Sequence, residues 1–378
     1  MLEAPRPPAR VIVAMSGGVD SSVAAARLLD AGWDVVGVTL HLWDYPDDPS
    51  AAGGHGRCCA PEDQYDARRV ADRLGFPHYT FDRRELFARR VVEPFVDAYL
   101  EGETPSPCTT CNREVKLGEL RRIADRLGAA AIATGHYARV VRDAGAPRIA
   151  RGLDRGKDQS YFLYATAPEL AARMVFPLGE SSKEEVRAEA ERRRLPGAGK
   201  GESQELCFVG QGAGAYARFV DARAGDRVRP GPIVDASGRV VGRHDGVHRF
   251  TVGQRKGLGV ALGKPAFVTR IDADSGTVVL GEGDDLAATG AELDRVVLAA
   301  GVSLPARAGV RVRYRHDPAP ALVTSIEAGR ARVEFDAPVR AVTRGQVAVL
   351  YDGDVVVGGG RIVRATFERA ATAGSVEA

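Results

Sequence analysis

The 378-residue chain is short of several things, and each shortage narrows what it can be. No run approaches the roughly 20 apolar residues of a membrane span, and the opening MLEAPRPPAR lacks the apolar core of a secretory leader. The expectation is a soluble cytoplasmic protein with no membrane partner. Net charge is nearly absent: 52 Lys+Arg against 50 Asp+Glu leaves +2, so any nucleic-acid surface has to be local. Cysteine is scarce and odd in number, five in all, with a single Cys-x-x-Cys. In a cytosolic chain of this size that argues against a disulfide scaffold and for redox, metal or catalytic use. A second Cys-x-x-Cys or a His pair at zinc spacing is missing, which disfavours a structural zinc site. There is no internal repeat and no low-complexity tract.

What is present is enough apolar residue, 44%, for two or three ordinary cores. The first half alternates. Strands are expected over Val11–Met15 and Val35–Leu40 and in HYTFD, with helices over Ser21–Ala31, in PEDQYDARRVADRLG and in NREVKLGELRRIADRLG. AAAIATGH reads as a further strand and its loop. This is the pattern of an α/β domain with a doubly wound parallel sheet, whose ligands gather at the carboxyl ends of the strands. Residues 42–59 form a polar Gly/Pro-rich insertion, and the glycine-rich 195–215 marks a boundary or a working loop. After about Tyr216 short β-branched runs alternate with the hairpin signals DASG, DADSG, EAGR and DGD. The expected division is a catalytic domain over 1–215, a small central domain over 216–290, a β-barrel-like domain over 291–366 and a frayed tail over 367–378.

The stretch SGGVDSS, Ser16–Ser22, sits between the first strand and the first helix. Gly17 and Gly18 permit a sharp turn and close approach of a ligand. The helix that follows offers unpaired N–H groups and the positive end of its dipole, and Ser16, Ser21 and Ser22 add hydroxyls. Together they make an anion cradle. The Gly-Lys-Ser/Thr ending of a Walker A loop is absent. Asp20 would repel a phosphate unless a cation intervened, which raises Mg²⁺ as a partner. The string resembles the pyrophosphate-binding loop (PP-loop) of ATP pyrophosphatases, a resemblance that implies ATP as the ligand. The loop alone does not choose among the small-molecule ligases and RNA-thiolating enzymes that carry it.

Cys108 and Cys111, in TPSPCTTCNREVKL, are expected just before a helix, where the helix N-terminus favours thiolate. Cys207 lies far along the chain in GESQELCFVG. Two thiols on opposed loops can exchange sulfur by persulfide and disulfide chemistry. The three cysteines could instead hold an iron–sulfur cluster with one open iron. Cys58 and Cys59 have no assigned role. For RNA contact, Arg311, Arg313 and Arg315 in GVRVRYRH alternate as on one strand face. RGLDRGKDQSYFL combines Arg151, Arg155 and Lys157 with Tyr161 and Phe162. Lys256 in GQRKGLG and His136 after Gly135 are further contact candidates.

In order along the chain stand SGGVDSS, GVTLHLWD, PSPCTTCNREVK, ATGHYAR, GLDRGKDQSYFL, SQELCFVG, FTVGQRKGLG and RVRYRH. The set resembles the tRNA 2-thiouridylase (MnmA) family over nearly the whole length. The resemblance implies ATP-dependent thiolation of the tRNA wobble uridine, with sulfur supplied by a persulfide-carrying donor protein. It implies that Ala14, Met15, Ser16, Gly17, Gly18, Val19, Asp20 and Ser21 bind ATP, with Leu40 and Gly135 near the nucleotide. It assigns Cys111 as nucleophile and Cys207 as persulfide carrier, and sets Ser106, Pro107 and Cys108 against the target base. His136, Lys157, Asp158, Gln159, Tyr314, Arg315 and Gln346 match tRNA-touching positions. One departure stands out: much of the family has aspartate where this chain has Cys108, which favours the cluster alternative and weakens a general-base role there. A PP-loop small-molecule ligase and a non-enzymatic RNA-binding or iron–sulfur protein remain as other readings. The first leaves the separated cysteines idle; the second leaves the phosphate loop idle.

Overall fold

The computed structural model describes residues 5–44, 61–143, 145–199, 206–210, 212, 214–260 and 263–367. Most of the 42–59 insertion, with Cys58 and Cys59, and nearly all of the 367–378 tail lie outside them. The runs expected to be buried strands are buried strands. β1 (Arg10–Ala14), β2 (Asp34–His41), β3 (His78–Asp82) and β4 (Ala131–Ala133) pair in parallel, with Ile12 opposite both Val36 and Ile132. After a hairpin of β5 (Ala138–Asp143) and β6 (Ala146–Arg151), the short β7 (Met174–Val175) completes the order β3-β2-β1-β4-β7. The strand order reverses at β1, so the crevice between the carboxyl ends of β1 and β4 is the topological switch point.

Helices α1 (Val19–Asp30) and α2 (Pro61–Leu74) follow β1 and β2. The helix expected from Asn112 begins earlier. Pro107 takes a first-turn position, where its missing N–H costs nothing, and helical turns run through Pro107–Thr110, a π segment at Cys111–Lys116, and Leu117–Arg126. Cys108 and Cys111 therefore lie inside the first turns of the helix and not ahead of it. A second difference falls at 215–224. The β-rich texture expected from Tyr216 begins only at Gly231, because Ala215–Ala224 is a helix that packs Tyr216 and Phe219 onto aromatic rings of the first domain.

The hairpin signals all form hairpins. β8 (Gly231–Val234), β9 (Val240–His244), β10 (Phe267–Asp272) and β11 (Thr277–Gly281) make a four-stranded sheet over a small core that includes Ile233, Phe250, Val268 and Val278. β12 (Ala287–Leu298), β13 (Ala306–Arg311), β14 (Ala319–Glu327), β15 (Arg330–Arg340), β16 (Val347–Asp352) and β17 (Val355–Thr366) pair in the order β12-β15-β14-β13-β16-β17. β12 also pairs with β17, which closes the barrel. The hairpin β5–β6 belongs by sequence to the first domain but adds to this sheet, through Ala150 opposite Val355. Asp354 then receives Arg139 at 3.1 Å and Arg155 at 2.8 Å.

The barrel also grips the segment just ahead of the cysteine helix. Glu103, 3% exposed, accepts Arg344 at 2.9 Å and Arg361 at 3.2 Å. Thr104 N–H donates to the Arg344 carbonyl at 2.9 Å, and Gln346 Nε2 donates to the Thr104 carbonyl at 2.8 Å. Gly345 has φ +90°, and a Cβ there would stand 2.9 Å from Glu103 Cβ, so only glycine fits the contact. Core residues Val347, Val349 and Tyr351 of β16 join the same hydrophobic cluster as Cys111 and Val115.

Two outcomes follow for stability. Glu103→Gln keeps the shape but removes the charge facing two guanidiniums; we expect a loss of about 1–3 kcal/mol in urea unfolding, against less than about 0.5 kcal/mol for Glu180→Gln on the exposed surface. An equal effect at both sites would contradict the clamp. Secondly, His78, His136, His244 and His248 are all held below the ordinary imidazole range, burial being the first cause in each. The unfolded chain takes up these protons near pH 6.5 and the folded chain only at lower pH. Stability is therefore complete above about pH 6.5 and falls as the pH drops towards the folded values, by up to about 1.4 kcal/mol per pH unit for each histidine. Urea midpoints at pH 7.5 and 5.5 measure this; a flat or rising midpoint on acidification is the contrary result.

Candidate active site

β1 ends at Ala14, and Met15 is fixed on both sides: its N–H donates to Val38 at 2.8 Å and its carbonyl accepts Thr39 Oγ1 at 2.9 Å. The chain then turns through Ser16 and Gly17. Gly17 has φ +72°, and a Cβ there would lie 2.0 Å from the Asp63 carbonyl oxygen, so the turn requires glycine. Gly18 is the extended N-cap of α1, and no side chain caps the helix. The hydroxyls of Ser21 and Ser22 donate to the Gly18 carbonyl at 3.1 and 2.9 Å, and Ser21 Oγ accepts the Ser16 N–H at 3.2 Å. These hydroxyls shape the loop, and the helix end, with its partial positive charge, faces the crevice.

The second wall of the crevice comes from β4. A Cβ on Gly135 would lie 2.9 Å from Ser21 N, so the loop after β4 touches the first turn of α1. His136 follows. Its Nδ1 is 2.8 Å from Thr134 Oγ1, and its ring meets Phe176 edge-on at 6.4 Å. Burial first, then the charge of Lys116, lower its pKa to about 3, so the imidazole is neutral at physiological pH. Lys116 belongs to the cysteine helix, which places that helix beside the nucleotide loops. Leu40 is buried near the end of β2 on the other flank of β1. The residues expected around ATP therefore lie at or near the carboxyl ends of the neighbouring strands β2, β1 and β4.

Asp20 does not stand open to a metal at Oδ1. That oxygen accepts Lys183 Nζ at 2.6 Å and Tyr137 Oη at 2.9 Å. Lys183 and Tyr137 were missed by sequence reasoning. A signal existed for the first, since SSKEE is a capping box that fixes a helix start, and the structure has that box with Ser182 and Glu185. Among the described residues no three His, Cys, Asp or Glu side chains gather closely enough to hold a metal ion. Cys108, Cys111 and Cys207 thus do not form a ready cluster site.

The three cysteines carry thiols and not disulfides. Cys111, 6% exposed, is a member of the largest hydrophobic cluster, and Cys207 packs at its margin. The Cys207 loop is anchored by its neighbour. Phe208 reaches into an aromatic group with Phe95 at 5.1 Å, Phe219 at 5.2 Å, Phe87 at 5.6 Å and Trp43 at 6.2 Å. Cys108 lies near Tyr314, whose pKa it helps to raise, behind burial and Asp158. Tyr314 in turn stacks on Phe162 at 4.4 Å, and Asn112 Nδ2 donates to the Phe162 carbonyl at 3.4 Å. Ser106 and Pro107 stand at the start of the same helix, with Thr109 Oγ1 donating to the Ser106 carbonyl at 2.7 Å.

The expected RNA residues divide. The arginine face of GVRVRYRH does not exist as such: β13 stops at Arg311 and the chain turns. Arg311 is buried against Asp158 at 2.7 Å, and Arg313 donates to the Ala341 carbonyl. Only Arg315 of the three is exposed. Asp158 is itself 1% exposed and also accepts Arg151 at 3.2 Å and the N–H groups of Gly152 and Ser160. A carboxylate so enclosed organises its loop and does not reach RNA. Gln159 Oε1 accepts the Tyr137 N–H at 3.1 Å, and Gln346 is held in the clamp. Tyr161 is core, donating to the Val347 carbonyl at 2.9 Å. Lys157 and Tyr314 remain half-buried at the surface of this region.

Three family models cover the chain: the tRNA methyl transferase HUP domain over residues 9–211, the tRNA methyl transferase PRC-barrel domain over 217–282 and the aminomethyltransferase beta-barrel domain over 295–362. No helix among the described residues is long and apolar enough to cross a membrane. A tRNA-specific 2-thiouridylase MnmA of Sorangium cellulosum is 61% identical over 98% of this chain and 96% of its own length. One of Moorella thermoacetica is 48% identical over 93% and 98%. A solved NMN synthetase from Francisella tularensis, at 16% identity, TM-score 0.34 and 58% and 87% coverage, is too remote to bear on the site. With identity this high over nearly the full length, and with the HUP, PRC-barrel and β-barrel units in this order, the chain belongs to the tRNA-specific 2-thiouridylase MnmA family.

Proposed function

We propose that this protein thiolates C2 of a tRNA uridine, the wobble uridine, using ATP and a cysteine persulfide. The observation that carries the reading is the placement of Cys111 inside, and Cys207 at the margin of, one hydrophobic cluster, on a helix that adjoins the phosphate crevice.

The uracil O2 is a poor leaving group, and adenylation converts it into one. O2 attacks the α-phosphorus of ATP, and the bond to the β-phosphate oxygen breaks. The open end of α1 stabilises the departing pyrophosphate. Mg²⁺ bound with the polyphosphate would supply charge neutralisation there. A donor protein leaves Cys207 as the persulfide. Its terminal sulfur attacks C2, and AMP leaves with the original oxygen. The nucleoside is then joined to Cys207 through a disulfide-type bond. Cys111 thiolate attacks Cys207 Sγ, and the electron pair of the broken S–S bond goes to the sulfur on C2, giving 2-thiouridine. A Cys111–Cys207 disulfide remains and is reduced by an external thiol. His136, neutral at working pH, can accept or donate a hydrogen bond to the substrate without adding charge.

Mass spectrometry of tRNA nucleosides after reaction with ATP, Mg²⁺ and a persulfide source tests the scheme. Wild type is expected to form 2-thiouridine; Cys111→Ser and Cys207→Ser are each expected to fall to background. Full thiolation by Cys207→Ser overturns the persulfide route, and acid-labile sulfide with iron in anaerobically purified protein, lost in Cys108→Ala, would replace it with a cluster. The RNA reading has its own measurement. Affinity for tRNA should fall steeply with salt, and Arg315→Ala should reduce the slope of log K against log salt by about one. Arg311→Ala, which strands the buried Asp158, is expected to lower the unfolding midpoint instead. A flat salt dependence in the wild type counts against tRNA binding by these residues.

A further inference from the structure

A disulfide between Cys111 and Cys207, the end point of the scheme above, is hard to clear from outside. Cys111 is 6% exposed and belongs to the largest hydrophobic cluster, so a reductant in solution has little access to its sulfur. The half-buried Cys207 is easier to reach, but attack there leaves a mixed disulfide on the sulfur carrier itself, which a second thiol must remove. Cys108 offers another exit. It is a half-buried thiol three residues before Cys111 on the same helix. Residues three apart on a helix are neighbours, with Cβ atoms about 5–6 Å apart, against about 3.5–4.5 Å in a disulfide. Joining them asks the first turn to shift by about 1–2 Å. The turn is built to give. Ser106 accepts Thr109 N–H at 3.2 Å through its carbonyl but supplies no side-chain cap, and at Cys111 the regular α pattern yields to a π segment.

We propose that Cys108 is the resolving thiol of this protein, through which the external thiol acts. Its thiolate attacks Cys111 Sγ of the Cys111–Cys207 disulfide. The Cys108–Cys111 bond forms, and the electron pair of the broken bond leaves on Cys207 as thiolate. Cys207 is then ready for the next sulfur, and the disulfide has moved to a pair with one half-exposed member. The aromatic socket of Phe208 favours the Cys207 loop in its resting place, which opposes the reverse step. A dithiol reductant next gives two electrons and two protons to the Cys108–Cys111 bond and becomes a disulfide itself. A bridge strained across a helical turn is easily reduced. A thiol tethered one turn away also acts at an effective concentration far above that of any thiol in solution. The inference rests on the Cys111–Cys207 reading above and adds the step that follows product formation.

The test follows the bridge. The full chain is loaded from a persulfide source, freed of excess, mixed with tRNA, ATP and Mg²⁺ without reductant, quenched in alkylating agent and mapped by peptide mass spectrometry. Wild type is expected to form a stoichiometric burst of 2-thiouridine, a Cys108–Cys111 disulfide and an alkylated Cys207. Cys108→Ser should give the burst and then stall as the Cys111–Cys207 disulfide. With a dithiol and continuous persulfide, its later turnovers should be slower by at least about tenfold. Cys108→Ala should stall in the same way, since the serine hydroxyl cannot exchange with a disulfide. A Cys111–Cys207 bridge as the end state of wild type, or undiminished turnover in Cys108→Ser, overturns the proposal. Loss of the burst itself in Cys108→Ser also overturns it, because Cys108 would then act before the product forms. Failure of the underlying reading shows separately, as full thiolation by Cys207→Ser.

Discussion

A carboxylate taken out of water must be paired or it must take up a proton, and Glu103 is buried between the two halves of this molecule. Its partners, Arg344 and Arg361, come from the loop between β15 and β16 and from β17. The same loop holds Thr104 through backbone and Gln346 contacts. A few residues later comes Pro107, which starts the helix carrying Cys108 and Cys111. The barrel is thus part of the scaffold that sets where the cysteine helix begins. Gln346 spends its amide on this junction.

The opposite side of the cysteine helix is coupled just as closely to the crevice between β1 and β4. Lys116 acts on His136, Gly135 touches the first turn of α1, and Tyr137 joins Asp20 to the 154–159 loop through Gln159. That loop is organised around Asp158, whose partners Arg151 and Arg311 belong to β6 and β13. The hairpin β5–β6 completes the connection by joining the barrel sheet. Domain boundaries drawn on composition miss this, because a hairpin that pairs with a distant strand has the same local pattern as one that pairs at home.

Much of the fold was legible for a simple reason. Continuous apolar runs such as Val11–Val13 must be buried wherever they fall, and DADSG or DGD between β-branched runs turns the chain locally. The tight turn after β1 was legible too, since the need for glycine at Gly17 is local. The errors share another cause. Arg311 was read as an exposed phosphate contact because its partner Asp158 is 153 positions away. Lys183 was overlooked because Asp20 is equally remote, and Glu103 because Arg361 lies 258 positions on. A buried ion pair between distant segments leaves no periodicity in either. In an arginine-rich chain of near-zero net charge, a basic cluster therefore says little until its acids have been found.

The unequal burial of the two thiols bears on their order of use. Cys207 is half-buried at the edge of the cluster, on a loop held by Phe208 in its aromatic socket, whereas Cys111 is nearly covered. In the proposed scheme a donor protein meets the outer thiol, which suits Cys207 to the persulfide role. Cys111, nearly covered, would in that scheme meet sulfur only from Cys207. Were the two exchanged, the covered cysteine would have to receive sulfur from a macromolecule through a packed core, and the outer one would be left to resolve an intermediate it could also lose to any thiol in solution. In that scheme apolar packing around Cys111 would do for sulfur what a closed active site does for a reactive acyl group: select the productive attack by excluding the others.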